Sequence, residues 1–175
     1  MNCSSKFFVA THIMVAIASR QIVSKRPWLV KSDQLAKSVN TNPVVIRRIL
    51  GMLRKAELID SVSGPEGGSW IPGDPMRITL RDIYDAVESA EFVHKPYSTP
   101  NPCCPVGGNV LDELAKVTEA VDKAMRDKLN EYTLAKLCED IIMSSDIPQM
   151  LEAGMSIEQI EEHFQKVIDE AAVNM

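Results

Sequence analysis

The sequence of 175 residues lacks the features that mark membrane and secreted proteins. No run approaches the roughly 20 apolar residues that a membrane-spanning helix needs. The N-terminus has Lys6 but no apolar segment followed by a small-residue cleavage site. The four cysteines do not have the spacing of a disulfide scaffold, which favours a reducing cytoplasm. We therefore expect a cytoplasmic protein with no membrane partner.

Catalytic signatures are also absent. The three histidines, His12, His94 and His163, lie in distant segments, and none belongs to a metal-binding or nucleophile-activating motif. The glycines at positions 64, 67 and 68 lie between predicted strands, whereas a nucleotide phosphate cradle lies between a strand and a helix. These absences predict that the protein is not an enzyme.

Charge is distributed unevenly along the chain. Residues 1–81 contain 12 Lys and Arg against 5 Asp and Glu, a net of +7, whereas residues 82–175 contain 7 against 19, a net of −12. The acidic total of −5 therefore hides a basic half and an acidic half. A local basic surface is what a nucleic-acid-binding protein needs in order to neutralise phosphates and release counterions.

The segment from residue 32 to residue 70 is typical of two short helices followed by a hairpin. Ser32 is the predicted N-cap of the first helix. Asn40 and Thr41 break that helix, and Asn42 caps the second, with Pro43 at the first helical position. The predicted inward positions of the two helices are Leu35, Ala36 and Val39, then Val45, Ile46, Ile49, Leu50 and Leu53.

This pattern predicts a winged helix-turn-helix that binds double-stranded DNA. Its second helix would bury one side and present the other to the major groove. Glycines at the hairpin tip allow close approach to a phosphate. The candidate DNA-binding residues are Ser32, Thr41, Asn42, Val44, Val45, Arg47, Arg48, Arg54, Ser63, Gly64 and Gly67. Two simpler interpretations remain open, namely an ordinary amphipathic helix with a hairpin turn, or a winged helix that serves only protein association.

The remaining helices are predicted from their caps and apolar spacing. A first helix runs from about Ser5 to Val23, with Phe8, His12, Val15 and Ala16 facing inward. Thr79 caps a helix whose inward residues include Leu80, Ile83, Tyr84 and Val87. A loop at 91–108 contains Cys103 and Cys104, and Thr133 caps a further short helix.

A long helix after this loop carries one apolar stripe. Asn109 is its predicted cap, and the stripe comprises Leu114, Val117, Val121, Met125, Leu129 and Tyr132. So long a stripe exceeds what a small winged-helix domain covers, which predicts a homodimer on a palindromic operator. The alternative is an intramolecular core helix.

The C-terminal extension is predicted to form one more amphipathic helix. Ser156 and Gln159 resemble a capping box, and Ile157, Ile160, Phe164, Val167, Ile168 and Ala171 recur at helical spacing. Two roles are open, packing on the dimerisation helices or recruitment of a partner.

The assembled motifs resemble the Rrf2 family of bacterial transcription regulators. The resemblance covers roughly residues 1–143 and rests on the opening SSK, the block NPVVIRRILGMLRKAELI, the wing SVSGPEGG, the following ITLRDIYDAVE, the cysteine-bearing loop and the long helix. It implies a homodimeric winged-helix protein, usually a repressor, whose DNA affinity is set by a sensor in the cysteine loop. Some relatives hold an iron-sulfur cluster there, and others use thiols or partner proteins.

The chain departs from the family pattern at the sensor loop and the wing. Cluster-binding relatives carry three spaced cysteines, whereas the loop here has only the adjacent pair Cys103 and Cys104. Adjacent thiolates cannot easily supply the separated vertices of a cluster, so the cysteine pattern disfavours an iron-sulfur cofactor with a conventional three-cysteine site without excluding a cluster held in another way. Cys3, Cys138 and His94 are further candidate ligands, and the weak metal candidates are His12, Cys103 and Cys104. In the wing, Ser63 replaces a basic residue and Glu66 a glycine, which predicts weaker DNA contacts there.

The hypothesis for Cys103 and Cys104 is redox or thiol sensing. Either would form a disulfide with another thiol, since adjacent cysteines seldom pair with each other. The alternative is two loop thiols with no regulatory task. The predicted organisation is a winged helix-turn-helix domain at 1–90, the cysteine loop at 91–108, dimerisation helices at 109–143 and a helical extension at 144–175.

Overall fold

The computed structural model describes residues 3–24, 29–88 and 98–173, and these are mainly helical. The helices are α1 (Cys3–Ser24), α2 (Ser32–Val39), α3 (Pro43–Lys55), α4 (Leu80–Val87), α5 (Val110–Asn130), α6 (Leu134–Met143), α7 (Ile147–Glu152) and α8 (Ile157–Val173). An antiparallel hairpin of β1 (Asp60–Val62) and β2 (Gly68–Trp70) lies between α3 and a 3-10 turn at Pro75–Arg77. This order confirms the predicted class, a mainly helical winged helix-turn-helix.

The core forms around α1. Its fully buried side chains are Ala10, Ile13, Met14, Ile17 and Ala18. Val15 is buried and Ala16 half-buried, as predicted, but Phe8 and His12 are exposed, so the prediction that they face inward was wrong. Apolar residues surround most of α1 between residues 7 and 18, so the sequence does not specify one face. Packing against α3, α4 and α6 selects the buried one.

The turn between α2 and α3 follows from two asparagines. Asn40 ends α2 in the left-handed conformation, with φ 55°. Asn42 caps α3, because its Oδ1 accepts the Val44 N–H at 2.8 Å, and Pro43 is the first helical residue. Ser32 was predicted to cap α2, and this prediction was wrong. Ser32 is the first helical residue, and the preceding Lys31 N–H donates to Gln34 Oε1 at 3.1 Å.

The inner face of α3 holds it against the core. Ile46, Ile49, Leu50 and Leu53 are buried, as predicted. Val45, predicted to face inward, is exposed at the edge of the helix. The buried face therefore begins one residue later than the sequence pattern indicates, and the first turn of α3 projects into solvent.

The wing is a short hairpin held to the connector before α2. Ser61 pairs with Ser69 in the antiparallel register, and Val30 and Ser69 exchange backbone hydrogen bonds of 3.0 and 2.9 Å. Gly64 has φ 120°, which only glycine adopts readily. A Cβ atom added at Gly67 would lie 2.2 Å from the Val62 carbonyl oxygen, so this turn of the hairpin requires glycine.

The segment containing α4 links the wing domain to α5 and α6. Thr79 and Asp82 form a capping box at the start of α4, which confirms the predicted cap. The end of α5 is fixed nearby, because Leu80 N–H donates to the Tyr132 carbonyl at 2.9 Å. Thr133 caps α6, as predicted. Asn109 occupies the predicted N-cap position of α5, but its side chain forms no capping hydrogen bond, and its Nδ2 donates to the Pro105 carbonyl at 2.9 Å.

The C-terminal extension folds back onto the helix-turn-helix. Ser156 and Gln159 form the predicted capping box of α8. Ile160 is buried, and Lys37 of α2 donates to Asp169 of α8 at 2.8 Å. Packing, one of the two predicted roles, is therefore observed, but on α2 rather than on the helices that the sequence suggested.

Candidate nucleic-acid interface

The outer face of α3 presents apolar and cationic side chains to solvent. Val44, Arg47 and Arg48 are exposed, as are Val45 and Arg54 nearer its edges. The opposite side of the helix is buried in the core, so the orientation of this face is fixed. Thr41, in the turn before α3, is only half-exposed. The helix can therefore insert these outer side chains into a groove without unfolding.

The first turn of α3 satisfies its own backbone amides. The Asn42 side chain accepts the Val44 N–H, and the Asn42 carbonyl accepts the Val45 N–H at 2.9 Å. A helix N-terminus often binds phosphate through such amides, but here they are occupied. Contacts at this end therefore fall to side chains. Asn42 keeps only its Nδ2 group as a free donor, since its Oδ1 is used in the cap.

A cleft separates α3 from the wing. Its lining comprises Lys31, Ser32, Asp33, Arg47, Leu50, Gly51 and Arg54, together with residues 61–65 and 67–69. The fold thus brings together the predicted site residues Ser32, Arg47, Arg54, Ser63, Gly64 and Gly67. The other predicted residues, Thr41, Asn42, Val44, Val45 and Arg48, do not line the cleft.

Lys31 and Gly51 are among the cleft residues that the sequence did not assign to the site. Lys31 precedes α2, where a basic side chain can meet a phosphate, but the predicted site starts at Ser32. Gly51 lies in the outer face of α3, where a glycine breaks the pattern of good helix formers. Once the buried face of α3 is known, the sequence alone shows that Gly51 lies on the exposed face of the helix.

Positive charge dominates the walls of the cleft. Lys31, Arg47 and Arg54 line it against the single acidic side chain of Asp33. Arg47 Nη2 lies 3.4 Å from Asp33 Oδ1, but both side chains are largely exposed, and such pairs contribute little. In the described part of the chain, Arg48 and Arg54 form no ion pair. These guanidinium groups can therefore bind an anion without first breaking a strong internal contact.

No packing contact within the fold requires glycine at position 51. A methyl group added there would meet nothing within 4 Å, and the residue lies in the middle of α3 on the wall of the cleft. Glycine inside a helix costs about 1 kcal/mol relative to alanine. Glycine therefore lowers the stability of α3 at a position where the neighbouring side chains leave room for alanine. A bare backbone does permit the close approach of a ligand.

We expect Gly51→Ala to stabilise the protein and weaken its binding to DNA. The helix gains intrinsic propensity, which should raise the midpoint of thermal unfolding by about 2–4 °C. Binding should fall because the added methyl group would occupy the helix face that the sequence predicts to face DNA. Calorimetry and fluorescence anisotropy with labelled duplex DNA measure the two effects. Equal or tighter DNA binding by the stabilised variant would contradict a close approach at Gly51.

The loop before α5 is an ordered series of turns that exposes both thiols. Cys103 N–H donates to Asn101 Oδ1 at 2.9 Å, and Gly108 N–H donates to the Cys104 carbonyl at 2.8 Å. The backbone amides of Gly107 and Val106 hydrogen-bond to the Cys104 sulfur and lower its pKa. Cys104 is fully exposed, so it is an accessible thiol with an increased thiolate fraction.

The described residues do not fit an iron-sulfur or metal site. No group of three or more His, Cys, Asp or Glu side chains converges among residues with described side chains. Cys138 is buried in α6, where burial raises its pKa, and His12 Nε2 lies 3.0 Å from Ser38 Oγ on α2. Neither can join Cys103 and Cys104 in one ligand set as the chain is folded. His94 and the Cys3 side chain fall outside the described parts.

Within the described residues, no helix has the length and apolarity to cross a bilayer. Two helices joined by a tight turn, with a hairpin beside the second, define a winged-helix domain. The basic cleft and the exposed α3 face are the features by which such domains bind nucleic acid. The chain belongs to the Rrf2 family, because the family model, described as an iron-dependent transcriptional regulator, matches residues 3–140.

Individual relatives agree with this assignment. YwnA of Bacillus subtilis, proposed to be an HTH-type transcriptional regulator, is 37% identical over 131 residues, which is 75% of this chain and 92% of YwnA. The crystal structure of a proposed DNA-binding protein is 32% identical, covers 76% of this chain and 98% of its own, and has a TM-score of 0.59. The structure of T. potens IscR shares the fold, with 23% identity, 81% and 89% coverage and a TM-score of 0.58. The chain is therefore a transcriptional regulator of this family and not an enzyme.

Proposed function

We propose that this protein is a homodimeric repressor that binds a palindromic operator in double-stranded DNA. The observation that carries the proposal is the exposed α3 face beside the basic cleft, where Arg47 and Arg54 line the cleft and Arg48 is exposed on the same helix. The α3 side chains read bases, while Lys31 and the wing position the domain on phosphates. Repression follows when such a protein occupies a promoter, as the family resemblance implies.

In vitro selection from random duplex DNA tests this function. We expect full-length protein to enrich a palindromic consensus with two half-sites separated by about one helical turn or a multiple of it. Sedimentation of the protein on the enriched duplex should give two chains per duplex. If no sequence is enriched and the duplexes are bound equally weakly at low salt, the winged helix serves protein association instead.

Dimerisation is supported by the exposed apolar stripe on α5. No residue of α5 is buried in the single chain, although Leu114, Val117 and Val121 are aligned at helical spacing. Leaving such a stripe in water is unfavourable, and a second copy covers it isologously. The twofold axis would then pass between the two α5 helices and relate two α3 helices, which matches a palindromic site.

We further propose that the cysteine loop makes the DNA affinity responsive to oxidants. The loop leads directly into α5, and α5 is tied to the winged helix by Arg126, which bonds to Asp85 of α4 and lies 5.4 Å from the Tyr84 ring. A change at the loop can therefore alter how α5 holds the DNA-binding domain. Cys104 is the attacking thiol, since two backbone amides stabilise its thiolate.

The chemistry of this response is a disulfide that closes in two steps. The Cys104 thiolate attacks a peroxide oxygen, which breaks the O–O bond, oxidises the sulfur to a sulfenic acid and releases hydroxide or water. A second thiol then displaces water from that sulfenic acid to form the disulfide. The second thiol belongs to another cysteine, because neighbouring cysteines close a strained ring.

Replacing Cys103 and Cys104 with Ser should abolish any response of DNA affinity to hydrogen peroxide. The single variant Cys104→Ser should lose most of it, because the pKa of Cys104 is lowered and its thiolate persists as the pH falls. For the same reason, iodoacetamide should label Cys104 faster than it labels free cysteine at a pH below the ordinary thiol pKa. Anisotropy titrations and peptide mass spectrometry measure the two effects.

The matched control is Cys138→Ala, which removes a thiol that is buried in α6. Its peroxide response should equal that of the wild type. A normal response in the double Ser variant would place sensing elsewhere in the chain.

A further inference from the structure

Val44 occupies an unusual position at the tip of α3. It is the second residue of the helix, and 65% of its surface is exposed. A single exposed valine is ordinary on a protein surface. This one, however, lies one helical turn before Arg48, on the outer face that the proposed function turns toward DNA. Its two methyl groups are therefore directed to the same surface as the Arg48 guanidinium.

Val44 cannot recognise a base by hydrogen bonding. Its side chain has no donor or acceptor, and its N–H is already bonded to Asn42 Oδ1 at 2.8 Å. Whatever this residue contributes to binding must come from apolar contact. Its β-branched side chain also has one strongly preferred rotamer in a helix, so its methyl groups are held in place before DNA arrives.

The major groove offers one apolar group at its base edges, the C5-methyl group of thymine. We propose that Val44 reads a thymine in each half-site by packing its methyl groups against that C5-methyl. The inference rests on the proposed function and names the base that the first turn of α3 selects. Cytosine at the same position has no methyl group and presents an amino donor, which Val44 cannot accept.

Deoxyuridine provides the probe, because it differs from thymidine only in lacking the C5-methyl group. The experiment uses the duplex selected by the full-length protein and replaces its thymines with deoxyuridine, one pair of symmetry-related positions at a time. At one position, the wild type should lose affinity by about fourfold per half-site, the effect of removing one methyl group from an apolar contact. Val44→Ala should bind the thymine and uracil duplexes equally at that position.

Two valine variants serve as controls. Val106→Ala removes the same atoms from a side chain that is 70% exposed in the cysteine loop, and it should retain the full difference between thymine and uracil. Val45→Ala changes a residue of the proposed interface, so its overall affinity is not the readout; it should still retain the difference between thymine and uracil, because the inference assigns that contact to Val44. Val44 is exposed, so its replacement should leave the unfolding midpoint unchanged.

The outcomes separate this inference from the proposed function. If no duplex is enriched by selection, both fail. If a palindrome is enriched and depends on Arg47 and Arg48, but no uracil substitution weakens binding, the function stands and the Val44 contact is overturned. A thymine preference that persists in Val44→Ala, or that disappears in Val45→Ala alone, also overturns it.

Discussion

Replacing both Arg47 and Arg48 with Ala should lower the affinity for the selected duplex by about 30-fold or more. An arginine contact to a base edge contributes about 1–3 kcal/mol, and the two side chains are the exposed cations in the centre of α3. Where the guanidinium groups bind phosphates, the loss also flattens the dependence of log K on log salt by about 0.9 per contact removed. Anisotropy titrations over a range of salt concentrations measure both quantities.

The matched control removes two positive charges elsewhere. Lys136 of α6 and Lys166 of α8 are exposed and lie outside the proposed interface, where they pair with acidic neighbours on their own helices. The double variant Lys136→Ala, Lys166→Ala changes the net charge by the same amount. It should bind almost as the wild type does. Equal losses in the two double variants would mean that net charge, rather than the α3 face, determines binding.

A charge placed in the α5 stripe should convert the protein to monomers. Val117 and Val121 are 58% and 44% exposed in the single chain, so Asp at both positions does not disturb the internal core. In a dimer, these carboxylates would be buried against an apolar partner helix, which is strongly unfavourable. Analytical ultracentrifugation should give half the wild-type mass. Affinity for the palindrome should fall by about 100-fold or more, because the two domains no longer bind as one unit.

The control for dimerisation is Val106→Asp, which places one such carboxylate on an exposed valine before α5. It should sediment as the wild type does. Circular dichroism of the Val117 and Val121 variant should retain the wild-type helix content. A variant that stays dimeric would show that the stripe is not the interface, and α5 would then need another partner.

The local elements were predictable because their signals are local. Asn42 and Pro43 define the start of α3, and Thr79 with Asp82 defines the start of α4. Caps of this kind act within four residues, so no tertiary information is needed to recognise them. Predictions failed where several solutions were locally equivalent. The cap of α2 is Lys31, whose N–H donates to Gln34, rather than the predicted Ser32. Asn109 is at the predicted cap position of α5, but its side chain bonds to the Pro105 carbonyl and not to the helix.

The candidate site was predicted residue by residue, but its assembly was not. Arg47 and Arg54 were recognisable on a helix, yet the sequence does not indicate that Lys31 and the wing form the opposite wall of one cleft. These relations depend on the approach of segments up to about 40 residues apart, which pattern and propensity do not encode.

The sequence by itself determined the winged-helix class, the family, the hairpin tip and the uneven charge, because each depends on neighbouring residues or on composition. Only the tertiary structure decided which face of α1 is buried, that Val45 projects from α3, and that α8 packs on α2 through Lys37 and Asp169. Apolar burial is non-directional, so a helix that is apolar nearly all round can bury any face. The shape of the surrounding helices makes that choice.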